Sequence, residues 1–390
     1  MNQSALSRIL KIIGAGLFVV AVVGGAVFLV LSRERSLSAG ASAAKPPSPT
    51  AANTADLHEA SWYQKLADGH VLCQLCPHAC RLGEGQIGNC RVRQNIGGTL
   101  YAIAYGQVAA AHVDPVEKKP FYHVLPGSRA FSLATPGCNL RCLFCQNWEI
   151  AQSFPWQVAT RSRSPEEVVA AALQSGAQSI AFTYSEPTVF YEYMLDIAKL
   201  AQTQGLKTLV ISAGYINSEP LRALLPHIDA YKIDFKGFAP AFYTDLTGGT
   251  RDPVLETMKI IRESGVWLEV VNLLVTGKND GEDEVRQLAR WVRDNLGADV
   301  PLHFSRFYPM HKLANLPPTP VETVLRARQI AIAEGLHYVY TGNIPSVEGD
   351  STFSPQTGEI VIERKGYHVI HNRLVNGVAP DGEPIPGVWK

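Results

Sequence analysis

Between Ala130 and Tyr340, short apolar runs rich in β-branched residues alternate with longer amphipathic stretches, and this alternation restricts the fold more than any other feature. Strands are predicted over Phe131–Thr135, Ser179–Thr183, Lys207–Ser212, Ala230–Phe235, Trp267–Val275, Leu302–Phe307 and His337–Tyr340. Helices are predicted from Ser164 onward, then over Val189–Gln204, Glu219–Leu225, Pro253–Ser264, Glu282–Leu296 and Val321–Glu334. The first opens on Ser164-Pro165-Glu166-Glu167: a capping hydroxyl, a proline at the first helical position and acids at the positive end. Such alternation is the mark of a parallel α/β unit. Six strand–helix units and one further strand are too few to close an eightfold barrel. The expected fold is therefore an α/β, open-sided (β/α)6 TIM-type partial barrel, with its site at the C-terminal strand ends and a lateral opening for substrate.

The first strand runs into Gly137-Cys138-Asn139-Leu140-Arg141-Cys142-Leu143-Phe144-Cys145, three cysteines at C-x3-C-x2-C. Three thiolates are one short of the four that normally hold a 4Fe–4S cluster, which leaves one iron open to an exogenous ligand. A zinc knuckle competes with this reading, but closed zinc needs a fourth ligand, and no Cys or His follows for many residues. All seven cysteines lie between Cys73 and Cys145. A disulfide framework usually spreads an even number more widely, whereas short clustered spacings point to reduced, metal-ligating thiols. The other four stand as Cys73-Gln74-Leu75-Cys76-Pro77-His78-Ala79-Cys80 and, beyond three glycines, Cys90. They can close a site around zinc or a second iron–sulfur cluster, and the spacing leaves both open. A coordinatively full site suits structure or electron relay. His78 is read as a neighbour of that site.

The strand ends carry the remaining candidates. Glu186, in Thr183-Tyr184-Ser185-Glu186-Pro187, could accept hydrogen bonds from an ammonium group or cap the helix that follows. Ser212, beside Gly214, could meet a ribose or a carboxylate. Asp234 and Lys236 share one strand face, as a site pair or as a strand-end salt bridge. Arg306 and His311 flank the sixth strand end. The charged run Asp114-Pro115-Val116-Glu117-Lys118-Lys119-Pro120 reads from spacing alone as a solvated loop, after a strand-like stretch at Leu100–Tyr105.

At the amino terminus, Ile12 to Ser32 is uncharged and apolar, long enough to span a bilayer as a helix. A retained single-pass anchor fits this length better than a cleaved signal peptide, although Ala41-Ser42-Ala43 resembles a cleavage site. The expected organisation is an anchor over 1–35, a Ser/Ala/Pro-rich tether over 36–56 and a Cys-rich region over 57–128. The barrel would occupy 129–344 and a small extension 345–390. Flanking charges orient the anchor poorly, and a reducing compartment suits the thiols, so the barrel is expected to face the cytoplasm. With 35 basic and 35 acidic residues, no global field points to nucleic acid.

Assembled, these motifs resemble the glycyl-radical-enzyme activases of the radical S-adenosylmethionine (SAM) superfamily. They resemble more closely the AmmeMemoRadiSam-system enzymes of its pyruvate formate-lyase activating enzyme-like branch. The closer likeness rests on Cys73 to Cys80, Asp114 to His123, Gly137 to Glu149, Phe182 to Thr188, Pro253 to Thr257, Trp267 to Glu269, His303 to Phe307 and Ile385 to Trp389. It runs from about residue 57 to the end. It implies that Cys138, Cys142 and Cys145 bind a 4Fe–4S cluster whose open iron takes SAM, with Phe144 against the adenine. It implies that Glu186 contacts the SAM amino group, that Ser212 contacts ribose or carboxylate, and that Asp234, Lys236 and His311 lie around SAM.

The implied function is an oxidoreductase-type radical reaction. Reductive cleavage of SAM yields a 5′-deoxyadenosyl radical, which abstracts hydrogen from an unidentified substrate. The alternatives are activation of a glycyl-radical enzyme, or a non-catalytic electron-transfer module. The implied partners are a flavodoxin- or ferredoxin-type donor and Memo-like and AMMECR-like proteins. The sequence also departs from the pattern. Ile211 stands where activases place a cation-holding Asp, and Glu269 near where they carry an Arg. The tail has no cysteine, so a ribbon-like hairpin without metal is expected there.

Overall fold

A computed structural model describes residues 20–23, 26–29 and 57–390. Eight strands form one sheet: β1 (Ala110–Pro115), β2 (Arg129–Ala134), β3 (Ser179–Phe182), β4 (Lys207–Ser212), β5 (Ala230–Asp234), β6 (Trp267–Leu274), β7 (Leu302–Arg306) and β8 (Val339–Gly342). Spatial order follows chain order throughout. Strands β2 to β8 are parallel, and β1 pairs antiparallel on β2. Six helices connect the parallel strands, as the alternation requires: Pro165–Gln174, Tyr191–Thr203, Ser218–Leu224, Asp252–Ser264, Glu282–Leu296 and Val321–Ala333. The first is closed by a capping box in which Ser164 accepts from the Glu167 N–H and Glu167 accepts from the Ser164 N–H.

Register brings Ile211, Lys232 and Glu269 side by side on β4, β5 and β6, and His303 beside Tyr340 on β7 and β8. The Glu269 carboxylate accepts from His303 Nε2 at 2.7 Å and from the Tyr122 and His123 backbone N–H groups. Glu269 therefore belongs to a polar layer shared with the 116–125 loop. Its difference from the activase Arg concerns this layer.

The charged run after Asp114 is not a solvated loop. It is the end of β1 and a 3-10 turn, Val116–Lys118, with Asp114, Glu117 and Lys119 buried. Each charge is retained because it is paired: Asp114 with Lys118 and Lys119, Glu117 with Arg364. The tail is a three-stranded antiparallel sheet, β9 (Thr352–Phe353), β10 (Ile360–Lys365) and β11 (His368–Asn372), one strand more than a hairpin. It docks on the same loop. Arg364 donates to the Tyr122 carbonyl at 2.6 Å, and the Val388 N–H donates to the His123 carbonyl at 2.7 Å.

The membrane-anchor expectation is overturned. Among the described residues no helix is long and apolar enough to cross a membrane. Within the apolar run, Val20–Val23 and Ala26–Leu29 are two antiparallel strands. Their β-branched valines favour extended backbone, and four residues of strand reach only about 13 Å. The single-pass, cytoplasm-facing placement falls with the helix. The rest of 12–32 and the expected tether at 36–56 lie outside the described residues. Residues 1–47 and 48–390 separate into two units.

Candidate functional site

The cysteine loop leaves β2 at its C-terminal end and is pinned from several sides. Gly137 N–H donates to the Ile150 carbonyl, Arg141 N–H to Thr247, Leu143 N–H to Leu246, and Lys312 N–H to Leu143. Gly137 has φ +96°, and a Cβ there would lie 2.6 Å from the Cys90 carbonyl, so only glycine permits this approach. Cys138, Cys142, Cys145 and Phe144 line a cavity of about 370 Å³ together with Glu186, Asp234 and Lys236. The strand-end candidates thus converge on one place, with three exceptions, one of them Arg306, which donates to the Thr319 carbonyl at 2.6 Å. Ser212 hydrogen-bonds Glu186 without lining the cavity, and His311 is outside the lining, its ring stacked on Trp148 at 5.2 Å.

Glu186 is almost wholly buried. Its Oε1 accepts from the Thr188 N–H at 3.0 Å and from the Ser212 hydroxyl at 2.6 Å, and its Oε2 from the Ala213 N–H at 2.8 Å. It therefore caps the turn Pro187–Phe190 and at the same time faces the cavity. Phe144 packs against Phe242, ring centres 5.7 Å apart. Asp234 lies between Lys232 at 2.8 Å and Lys236 at 3.6 Å. Burial alone would raise the Asp234 carboxyl, but the two ammonium groups outweigh it and hold it below its ordinary value. Burial opposes the Lys236 charge in the same way. The charges of Asp234, Cys142 and Cys145 prevail and raise it.

Burial pushes the Cys142 thiol up to about 12 and Cys138 well above its usual range, with Cys145 raised too. Metal ligation requires the thiolate form, so a bound cation would have to offset the cost of burial at these three positions. The donor set fits a three-thiolate cluster: the Leu140 N–H already points at Cys138 Sγ at 3.3 Å, and the Lys236 charge lies beside the other two. Among the described residues no three Cys, His, Asp or Glu side chains gather closely enough for one metal ion. Single-ion zinc at Zn–S of 2.3 Å would bring its sulfurs to roughly 3.8 Å from one another.

Cys73, Cys76, Cys80 and Cys90 line a second cavity, with Arg93 and Asn139 in its wall. Arg93 is buried, donates twice to Glu192 at 2.5 and 2.6 Å, and leaves its Nε without a partner. Burial raises the Cys76 thiol to about 12 and Cys90 to about 11. Asn139, inside the three-cysteine loop, is in this wall, and its carbonyl bonds His78 at 2.6 Å. The two cysteine groups are therefore adjacent.

Sequence reasoning overlooked Lys232, Tyr184 and the Asp114–Lys119 pair. The i, i+2, i+4 set Lys232, Asp234, Lys236 was a readable signal, because alternate strand residues share a face. The Asp114 pair carried no such signal, since it depends on how the 116–125 loop folds back.

Comparison with known proteins agrees with this geometry. The model of the Radical SAM superfamily matches residues 132–292. An uncharacterized protein of Methanocaldococcus jannaschii is 46% identical over 320 residues, 82% of this chain and 94% of that protein. The pyruvate formate-lyase-activating enzyme of Staphylococcus epidermidis is 26% identical over 237 residues, 56% of this chain and 92% of the enzyme. That of Clostridium pasteurianum is 26% identical over 166 residues, 40% of this chain and 67% of the enzyme. The chain belongs to the Radical SAM superfamily and is a SAM-dependent radical enzyme.

Proposed function

We propose that Cys138, Cys142 and Cys145 hold the 4Fe–4S cluster and that the cavity beside them takes SAM. With both bound, the centre supplies a 5′-deoxyadenosyl radical for hydrogen abstraction. The observation that carries this is the convergence of three buried thiols, a fixed carboxylate and the Lys232–Asp234–Lys236 triad on one cavity at the strand ends. Glu186 presents a carboxylate already held by three donors, two on Oε1 and one on Oε2, so it can accept from the SAM ammonium without reorganising. Phe144 offers an apolar face for the adenine. Lys236 offsets thiolate charge, and the walls of the cavity keep water from the reacting carbon.

The four-cysteine site is proposed as a second metal centre. Four thiols lining one cavity beside a buried guanidinium with an unpartnered N–H support it. Its adjacency to the three-cysteine loop suits an iron–sulfur cluster that relays electrons from a flavodoxin- or ferredoxin-type donor, with structural zinc as the alternative. Membership of the AmmeMemoRadiSam group, with Memo-like and AMMECR-like partners, rests on the sequence motifs. The activating-enzyme relatives favour glycyl-radical activation as a second reading. The deciding experiment is anaerobic reconstitution, then SAM and dithionite. 5′-Deoxyadenosine is expected from the intact chain and not from Cys138→Ala, and no product from either would refute the assignment.

A further inference from the structure

A second Lys–Asp–Lys triad borders the same cavity: Lys118, Lys119 and Tyr184 line it, and the two lysines pair with Asp114. Asp114 Oδ1 accepts from Lys118 at 2.9 Å, and Oδ2 accepts from Lys119 and from the Tyr184 hydroxyl, each at 2.5 Å. The Lys119 ammonium also sits 4.4 Å from the centre of the Tyr184 ring. Asp114 and Lys119 are buried, while Lys118 is about half exposed. Lys119 already neutralises the carboxylate and shares Oδ2 with Tyr184, while Lys118, alone on Oδ1 and half exposed, keeps further N–H donors free for a ligand. Two ammonium groups against one carboxylate leave one surplus positive charge. Around Asp234 a similar surplus faces the Cys142 and Cys145 thiols. Around Asp114 the leading partners are Lys118, Lys119 and the Tyr184 hydroxyl.

Position tells what that charge faces. Lys118 and Pro120 line both the cysteine cavity and an adjoining one of about 620 Å³. Lys118 therefore stands where the two meet. The walls of the second cavity are largely apolar, from Pro120, Tyr122, Ile344, Val347 and Tyr367. Lys365 lines it as well, and the one carboxylate there, Asp350, is engaged by the Gly366 N–H at 2.9 Å. Tyr184 reaches Asp114 from a left-handed backbone, φ +65°, which costs a tyrosine energy and persists because the surrounding structure fixes it.

We propose that Lys118–Asp114–Lys119 with Tyr184 is the anion-binding subsite for the substrate, a small molecule with a carboxylate or phosphate head and an apolar body. The head meets the two ammonium groups, the body lies along Ile344, Val347 and Tyr367, and the carbon to be attacked is directed toward the cysteine cavity. This deepens the radical-enzyme reading and rests on it.

The test is calorimetric titration of the cluster-reconstituted full chain, with SAM present, using hexanoate, hexyl phosphate and hexylamine. Saturable binding of either anion at one site, and none of the amine, is expected, and the tighter anion identifies the head group. Lys118→Gln should weaken that binding by about tenfold, while Lys118→Arg stays within about threefold, as loss of one charge-assisted hydrogen bond implies. Equal binding by Lys118→Gln, comparable binding of hexylamine, or no anion binding would overturn the proposal. Binding needs no turnover. Absence of 5′-deoxyadenosine from the same preparation would instead count against the radical reading, so the two failures are distinguishable.

Discussion

The Ser212 hydroxyl donates to Glu186 Oε1 at 2.6 Å, and the Gly214 N–H donates to Ser212 Oγ at 2.9 Å, so a hydroxyl at the end of β4 fixes a carboxylate at the end of β3. Ser212 acts through Glu186 and is a positioning residue. Ser212→Ala leaves Glu186 with two of its three donors. One buried hydrogen bond to a charged group is worth about 1.5–3 kcal/mol, so SAM affinity should fall by roughly tenfold or more. Equilibrium binding and the KM for SAM should both move, with kcat changing less. Ser212→Thr, which keeps the hydroxyl, should recover most of the affinity. An unchanged KM in Ser212→Ala would remove Glu186 from SAM recognition.

Metal content separates the two cysteine groups. The reconstituted chain should carry about eight irons and little zinc, about four per cluster. Cys73→Ser or Cys90→Ser should lose roughly half the iron and keep an EPR signal that responds to SAM. Cys142→Ser should lose that response. Four irons with one zinc would make the amino-terminal site structural.

The buried Arg93–Glu192 pair ties the Cys-rich region to the first turn of the helix Tyr191–Thr203. Arg93→Met leaves the Glu192 charge uncompensated in the interior and should cost about 3–5 kcal/mol. Arg93→Met with Glu192→Gln should recover much of that loss, and urea midpoints of the two single variants and the double variant give the coupling directly. A single variant as stable as the parent would show the pair to be dispensable.

How much of this was readable in the sequence follows from which signals are local. The parallel strands and their helices were legible because burial repeats with a fixed period along one segment: Lys207–Ser212 and Glu282–Leu296 match their predicted bounds. Glu186, Asp234 and Lys236 were legible because strand ends project into the cavity. Ser212 was legible as a hydroxyl but not as the partner of Glu186, which is 26 residues away. Residues 114–120 look like a solvated turn in isolation, and only the return of the chain against Tyr184 and Arg364 buries them. The apolar run near the amino terminus misled because a span-length stretch of Val, Gly and Ala satisfies a hydropathy criterion whether or not it is helical. β-Branched valines in register carry the opposite preference.

Acid should destabilise the fold through the layer between the barrel and its tail. His123 is fully buried. Its Nδ1 lies 2.7 Å from the Pro386 carbonyl and its Nε2 2.6 Å from the Tyr340 hydroxyl. A carbonyl can only accept, so Nδ1–H donates there, and in the neutral imidazole that burial favours Nε2 accepts from the Tyr340 hydroxyl. The groups around it are Glu269, His303, Arg364 and the rings of Trp267, Tyr338, Tyr340 and Trp389. Burial, assisted by Arg364 and His303 and opposed by Glu269, lowers His123 from 6.5 to about 4. Burial would raise Glu269, but His303, His123 and the Tyr122 N–H outweigh it and bring it to about 2. In both cases the unfolded chain binds the proton more readily than the folded one. Stability is therefore fully present above about pH 6.5. It falls from there through pH 4 as unfolded His123 protonates, and again from about 4.5 toward 2 as Glu269 does. The His123 part amounts to roughly 3 kcal/mol at about 1.4 kcal/mol per unit. Urea midpoints of the parent should decline between pH 6.5 and 4. His123→Gln, which keeps one donor and one acceptor without titrating, should start lower at neutral pH and decline less steeply. A variant that follows the parent's slope would place the acid sensitivity elsewhere.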